Sequence, residues 1–141
     1  MKVKTKAQLK QELLKKTFKT NKDFQNLEKY SGSVYENKDK ILVYLFSQKY
    51  KTAWYWFGFG ETHKELLDNT YKKTYILLGC DYTKTKSVVI PYTKFKKMLT
   101  RMSKTKVNSK QWQVKLYNDG EEHAFLKFLN KEMLDISNYM V

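Results

Sequence analysis

Apolar positions along this chain recur with two different periods, and each change of period marks a new element. Leu9, Leu13 and Phe18 fall on one side of a helix behind Thr5-x-x-Gln8, a capping box, so the chain is expected to begin with a helix. A short second helix after Asn21 would bury Phe24 and Leu27. The pattern then turns to strands, at residues 33–36 and 41–48 around an Asn-Lys-Asp turn and again at 52–59, which together read as a meander.

Residues 61–67 read as a short helix, and 73–80 and 87–90 as two buried strands. Between Pro91 and Lys104, Phe95, Met98, Leu99 and Met102 sit at i, i+3, i+4 and i+7, one apolar stripe of a helix opened by Pro91 and Thr93. Residues 111–117 and 123–129 flank Asn118-Asp119-Gly120 and predict a hairpin, while 134–140 fit either a helical turn or an edge strand. The sum is α+β, a mixed or mainly antiparallel sheet flanked by helices. A basic helical segment, 1–30, leads into the α+β domain proper, 31–141.

Composition agrees with a single domain: 141 residues, 41% hydrophobic and 30% charged, are enough to bury one core. The longest apolar runs, residues 41–46 and 53–59, fall far short of the roughly 18–20 residues of a membrane span. The basic N-terminus continues into a Lys/Gln/Leu helix pattern without the apolar stretch of a signal peptide. With the single cysteine, Cys80, this points to a cytoplasmic protein.

Charge changes the picture more. The chain carries +14, and residues 71–115 hold 12 basic side chains against one acid. Lys94, Lys97, Arg101 and Lys104 share a stripe rotated roughly 130° from the apolar one, at about 100° per residue, and would form a basic row toward solvent. Lys72, Lys73, Lys84, Lys86, Lys106 and Lys110 would extend it into a basic face suited to an anionic partner.

Catalytic and metal-binding constellations are scarce. His63 and His123 are far apart and lack nearby cysteines, so no metal site is expected, and no cofactor motif is present. Cys80 follows an apolar strand, where a small buried thiol is the ordinary reading. A magnesium nuclease would need an acid followed by Asp/Glu-x-Lys. The matches are Asp23 with Glu36-Asn37-Lys38, in an expected turn, and the poorer Asp68 with Asp81 and Lys84.

The segment Trp54-Tyr55-Trp56-Phe57-Gly58-Phe59 is the least ordinary. On a strand, Trp54 and Trp56 point one way and Tyr55, Phe57 and Phe59 the other. If one face meets the core, the other is either covered by a second layer or left to stack on bases, which makes Trp54, Trp56 and Tyr55 the candidate stacking residues.

Together with Leu-Leu-Gly-Cys (77–80), Val-Val-Ile-Pro-Tyr (88–92), Trp112-x-Val114 and the terminal Leu-Asp-Ile-Ser-Asn-Tyr (134–139), that segment resembles a loosely defined group of uncharacterised bacterial modules. The resemblance spans about residues 52–141 and implies the fold unit and a setting in restriction, defence, mobile elements or other DNA metabolism, with no catalytic set. Gln113 departs from the His that relatives tend to carry there.

The first expectation is therefore a non-enzymatic nucleic-acid-binding domain, with DNA as the partner. Lysine dominance, with Arg101 the single arginine, implies sequence-tolerant phosphate contacts. The alternatives are a small magnesium-dependent nuclease or its remnant, and an adaptor or inhibitor binding an acidic protein partner.

Overall fold

The computed structural model describes residues 5–47, 49–51, 53–80, 86–105 and 110–141. Helix α1 (Lys6–Thr20) starts at the expected capping box: Gln8 N–H donates to Thr5 Oγ1 at 3.2 Å and Thr5 N–H to Gln8 Oε1 at 2.8 Å. A 3-10 turn, Lys22–Phe24, replaces the second helix, and the chain passes directly into β1 (Glu28–Ser31), β2 (Val34–Glu36) and β3 (Lys40–Ser47). After β4 (Lys49–Lys51) and β5 (Trp54–Gly60) come α2 (Glu61–Asp68), β6 (Lys73–Cys80), β7 (Val88–Pro91) and α3 (Tyr92–Leu99). The chain ends with β8 (Gln111–Asn118), β9 (Ala124–Lys127), β10 (Met133–Asp135) and a 3-10 turn, so residues 134–140 supply both an edge strand and a helical turn.

These strands build two five-stranded sheets, ordered β1-β2-β3-β6-β7 and β10-β9-β8-β5-β4. All pairings are antiparallel except β3 with β6, which confirms the α+β class and its mixed, mainly antiparallel character. The meander does not continue past β3. That strand is apolar on both faces and sits inside its sheet between β2 and β6, whereas β5 joins the second sheet beside β8.

Residue parity explains the layers. Ile41, Val43, Leu45, Ile76, Leu78, Val88 and Ile90 face the second sheet, and Tyr55, Phe57, Phe59, Val114, Leu116 and Leu126 face back, forming one core between the sheets. Leu67 of α2 and Tyr92, Phe95 and Leu99 of α3 enter the same core. On the opposite side of the first sheet, Leu42, Tyr44, Leu77 and Val89 pack under Leu14, Phe24 and Leu27 of the N-terminal segment.

Among the described residues, the first sheet is thus covered on both faces, and the second on one. Val88 bridges to Met140 and Val141 N–H donates to Ser87 O at 2.9 Å, tying the C-terminal end to the edge of the first sheet. No helix among the described residues is long and apolar enough to cross a membrane.

Candidate functional site

The outer face of the second sheet follows from the alternation along β5, β8 and β9. Tyr55 is 2% exposed and belongs to the core, so it leaves the group of stacking candidates; the strand's two-residue period turns it away from Trp54 and Trp56. Trp56 is 47% exposed on the outer face. Cross-strand pairing sets Trp54 opposite Tyr117 and Tyr117 opposite Phe125. Their rings touch in sequence, at 5.5 Å and 70° for Trp54–Tyr117 and 6.0 Å for Tyr117–Phe125, while His123 stacks on Phe125 at 6.3 Å and 15°.

A second row runs beside the first: Trp56 opposite Lys115, Lys115 opposite Lys127, and Lys127 opposite Met133. The ammonium of Lys115 lies 5.1 Å from the Trp56 ring centroid, and that of Lys127 lies 5.8 Å from the Trp54 ring. Lys115 and Lys127, with Lys131, also line a depression of about 190 Å³ floored by Met102 and Phe128 and edged by Ser103, Gln113 and Leu129. No carboxylate pairs with any of these three lysines among the described residues.

The lysines expected from the sequence fare differently. Helix α3 buries Phe95 and Leu99 and leaves Lys94 and Lys97 exposed, as the stripes require. It stops at Leu99, however, and does not reach Lys104, because the chain turns through Thr100–Met102 toward a bridge between Lys104 and Trp112. The four-residue basic row is therefore broken. Arg101 pairs with Glu132 while stacking 4.1 Å over Phe128, and Lys104 pairs with Glu61 while lying 4.5 Å over Trp112.

Lys104 donates a hydrogen bond that holds the Glu61 carboxyl below the usual range, with Lys110 adding to the effect. Lys72 is bound to Glu36 at 2.8 Å, and with Lys73 lines a separate depression beside Pro91 and Thr93. Lys86 is exposed, and its main-chain carbonyl accepts a hydrogen bond from the buried Asn118 side-chain amide at 2.8 Å. Lys84 and Lys106 lie outside the described residues.

Of the acids in the two nuclease matches, Asp23, Glu36 and Asp68 lie among the described residues, and each has a lysine partner. Glu36 is committed to Lys72, and Asp23 lies 4.0 Å from Lys40. Asp68 accepts from Lys64 at 2.6 Å, Lys96 at 2.8 Å and Tyr92 Oη at 2.7 Å. Burial pushes the Asp68 carboxyl up, but these three donors together hold it well below the ordinary carboxylate value. Asp81 and Lys84 lie outside the described residues. No group of three or more His, Cys, Asp and Glu side chains able to hold a metal ion occurs among the described residues. Cys80 is buried and receives a 3.4 Å contact from the Asn118 amide.

Lys127 and Lys131 escaped notice in the sequence because they belong to a segment, 116–141, with more acids than bases. The signal that finds Lys127 is parity: on β9 it shares the face of Phe125, which shares that of Tyr117 and Trp54, whereas Lys131 lies beyond the strand. No protein-family model, no curated protein and no solved structure matches this chain.

Proposed function

We propose that this chain is a non-enzymatic nucleic-acid-binding domain whose contact surface is the outer face of the second sheet. The observation that carries this reading is the placement of Lys115 and Lys127 directly opposite each other, beside Trp54 and Trp56. Like charges directly opposite on neighbouring strands oppose folding, and an exposed tryptophan adds apolar surface that stability does not require. A polyanion with aromatic bases relieves both. Lys131 adds a third cation at the same depression, the exposed Leu129 lines it, and the exposed Met133 lies opposite Lys127 on β10.

Lys94 and Lys97 on α3 supply additional positive potential, since no carboxylate pairs with either among the described residues. Lysine as the main cation favours phosphate contacts over base-edge readout, so binding tolerates many sequences. The resemblance read in the sequence to bacterial modules, some of them linked to restriction or DNA metabolism, makes DNA the first partner to test. Fluorescence polarisation with labelled nucleic acids at low and moderate salt, with one magnesium sample checked for cleavage, tests the reading. Binding that weakens steeply with salt, without cleavage, is expected, with Lys115→Glu/Lys127→Glu abolishing it. Absence of binding at low salt overturns the proposal and directs attention to an acidic protein.

A further inference from the structure

We infer that the nucleic acid bound here is single-stranded, with a base stacked on Trp56 and a neighbouring phosphate held in the depression of Lys115, Lys127 and Lys131. This rests on the nucleic-acid reading and adds the strand state to it. A paired base inside a duplex has both ring faces covered by its neighbours, so a tryptophan on an open sheet meets a π-face only where the strand is unpaired. Trp56 stands on such a sheet, and Trp54, Tyr117 and Phe125 continue the aromatic surface across three strands.

The alternative geometry for a duplex, an exposed basic helix laid into the major groove, is weakened by the same structure. Helix α3 has only eight residues, buries Tyr92, Phe95 and Leu99, and is followed by Arg101 and Lys104 already bound to Glu132 and Glu61. The outer face of the second sheet, by contrast, sets an ammonium beside each of its two tryptophans. A nucleotide combines a flat π-system with an anion a few ångströms away, and Trp56 with Lys115 at 5.1 Å presents the complement of both.

The depression adjoins this pair because Lys115 belongs to both. Its volume, about 190 Å³, is several times a water's share of the liquid, so a phosphate enters with part of its hydration. Three lysines then meet it, and the Ser103 and Gln113 edges are polar. The flexible Lys115 stem allows its ammonium to leave the Trp56 ring for the phosphate while a base takes the ring.

The test compares the full chain's affinity for labelled single-stranded DNA, single-stranded RNA and duplex DNA of one length at matched ionic strength, while tryptophan fluorescence is followed. Single strands are expected to bind at least about 10-fold more tightly than duplex and to quench the fluorescence. Trp56→Ala should weaken single-strand binding about 5- to 150-fold, the range for loss of one base–aromatic stack, and Trp56→Phe should restore part of it. Lys127→Glu/Lys131→Glu should weaken it further and flatten its salt dependence.

The two single-stranded arms separate DNA from RNA through the 2′-hydroxyl. Equal or tighter duplex binding, with Trp56→Ala inert, overturns the single-strand inference and leaves the nucleic-acid reading standing. Lysine variants without effect on single-strand affinity overturn the phosphate assignment. No binding of any of the three overturns both proposals.

Discussion

Lys115 and Lys127 stand directly opposite each other on β8 and β9, two like charges on one face of an antiparallel pair. Such a pair costs stability, and an opposite charge at either position would recover about 0.2–1 kcal/mol. Lys127→Glu is therefore expected to raise the midpoint of urea unfolding while weakening nucleic-acid binding. Stability and affinity moving in opposite directions would mark the pair as retained for function; a drop in both would mean that these lysines support the fold.

Adjacent residues on β5 should respond in opposite ways. Tyr55 is buried between the sheets, and Tyr55→Ala is expected to cost about 3–5 kcal/mol, enough to unfold a marginal domain. Trp56→Ala, on the half-exposed outer face, should cost about 1 kcal/mol or less. Thermal melts of the two variants check the parity directly.

Gly79 on β6 faces the ring of Tyr44. A Cβ at residue 79 would lie 2.6 Å from Tyr44 Cε1 and 2.8 Å from Leu13 Cδ2. Tyr44 cannot yield easily, because it is fully buried and its hydroxyl donates to Lys10 O of α1 at 2.8 Å. Gly79→Ala should thus destabilise the protein by about 1–3 kcal/mol through overpacking beneath α1. Tyr44→Phe, which loses only the hydrogen bond, should cost about 1 kcal/mol. Denaturant titration of both variants measures the difference.

Asn118 ties the two sheets together. Its buried amide donates to Lys86 O at 2.8 Å, ahead of β7 in the first sheet, and its Oδ1 accepts from Gly120 N–H at 2.8 Å in the β8–β9 turn. Asn118→Ala leaves both backbone groups without these partners and should cost about 1–3 kcal/mol. Faster hydrogen exchange at Gly120 is expected in the variant.

Acid should release the Asp68 cluster. Its carboxyl titrates lower in the folded chain than the usual value of about 3.9, so its contribution is present above that pH and is lost as pH falls toward the folded value. Part of the side chain is exposed, which keeps the contribution near about 1 kcal/mol. Asp68→Asn should lower the melting temperature at pH 7 and flatten its decline below pH about 4. The curves of variant and parent should converge at the acid end.

Much of this protein was legible in its sequence, and the legible part is local. The Thr5 capping box, the two faces of β5, the apolar stripe of α3 and the β8–β9 hairpin all follow from spacing within one element. The β8–β9 loop, residues 119–123, is held by Asp119, whose Oδ1 accepts the N–H groups of Glu121, Glu122 and His123. What local spacing did not contain was the choice of neighbours: β3 took β6 instead of β5, and the chain formed two sheets. Charge shows the same division. Counting residues identified a basic segment, yet only the folded chain could assign Arg101 to Glu132, Lys104 to Glu61 and Lys72 to Glu36 while leaving Lys115, Lys127 and Lys131 together beside Trp56. Periodicity decides which side of its own strand or helix a side chain occupies; the partner it meets there comes from long-range pairing, to which many registers of the same local pattern are open until the core closes.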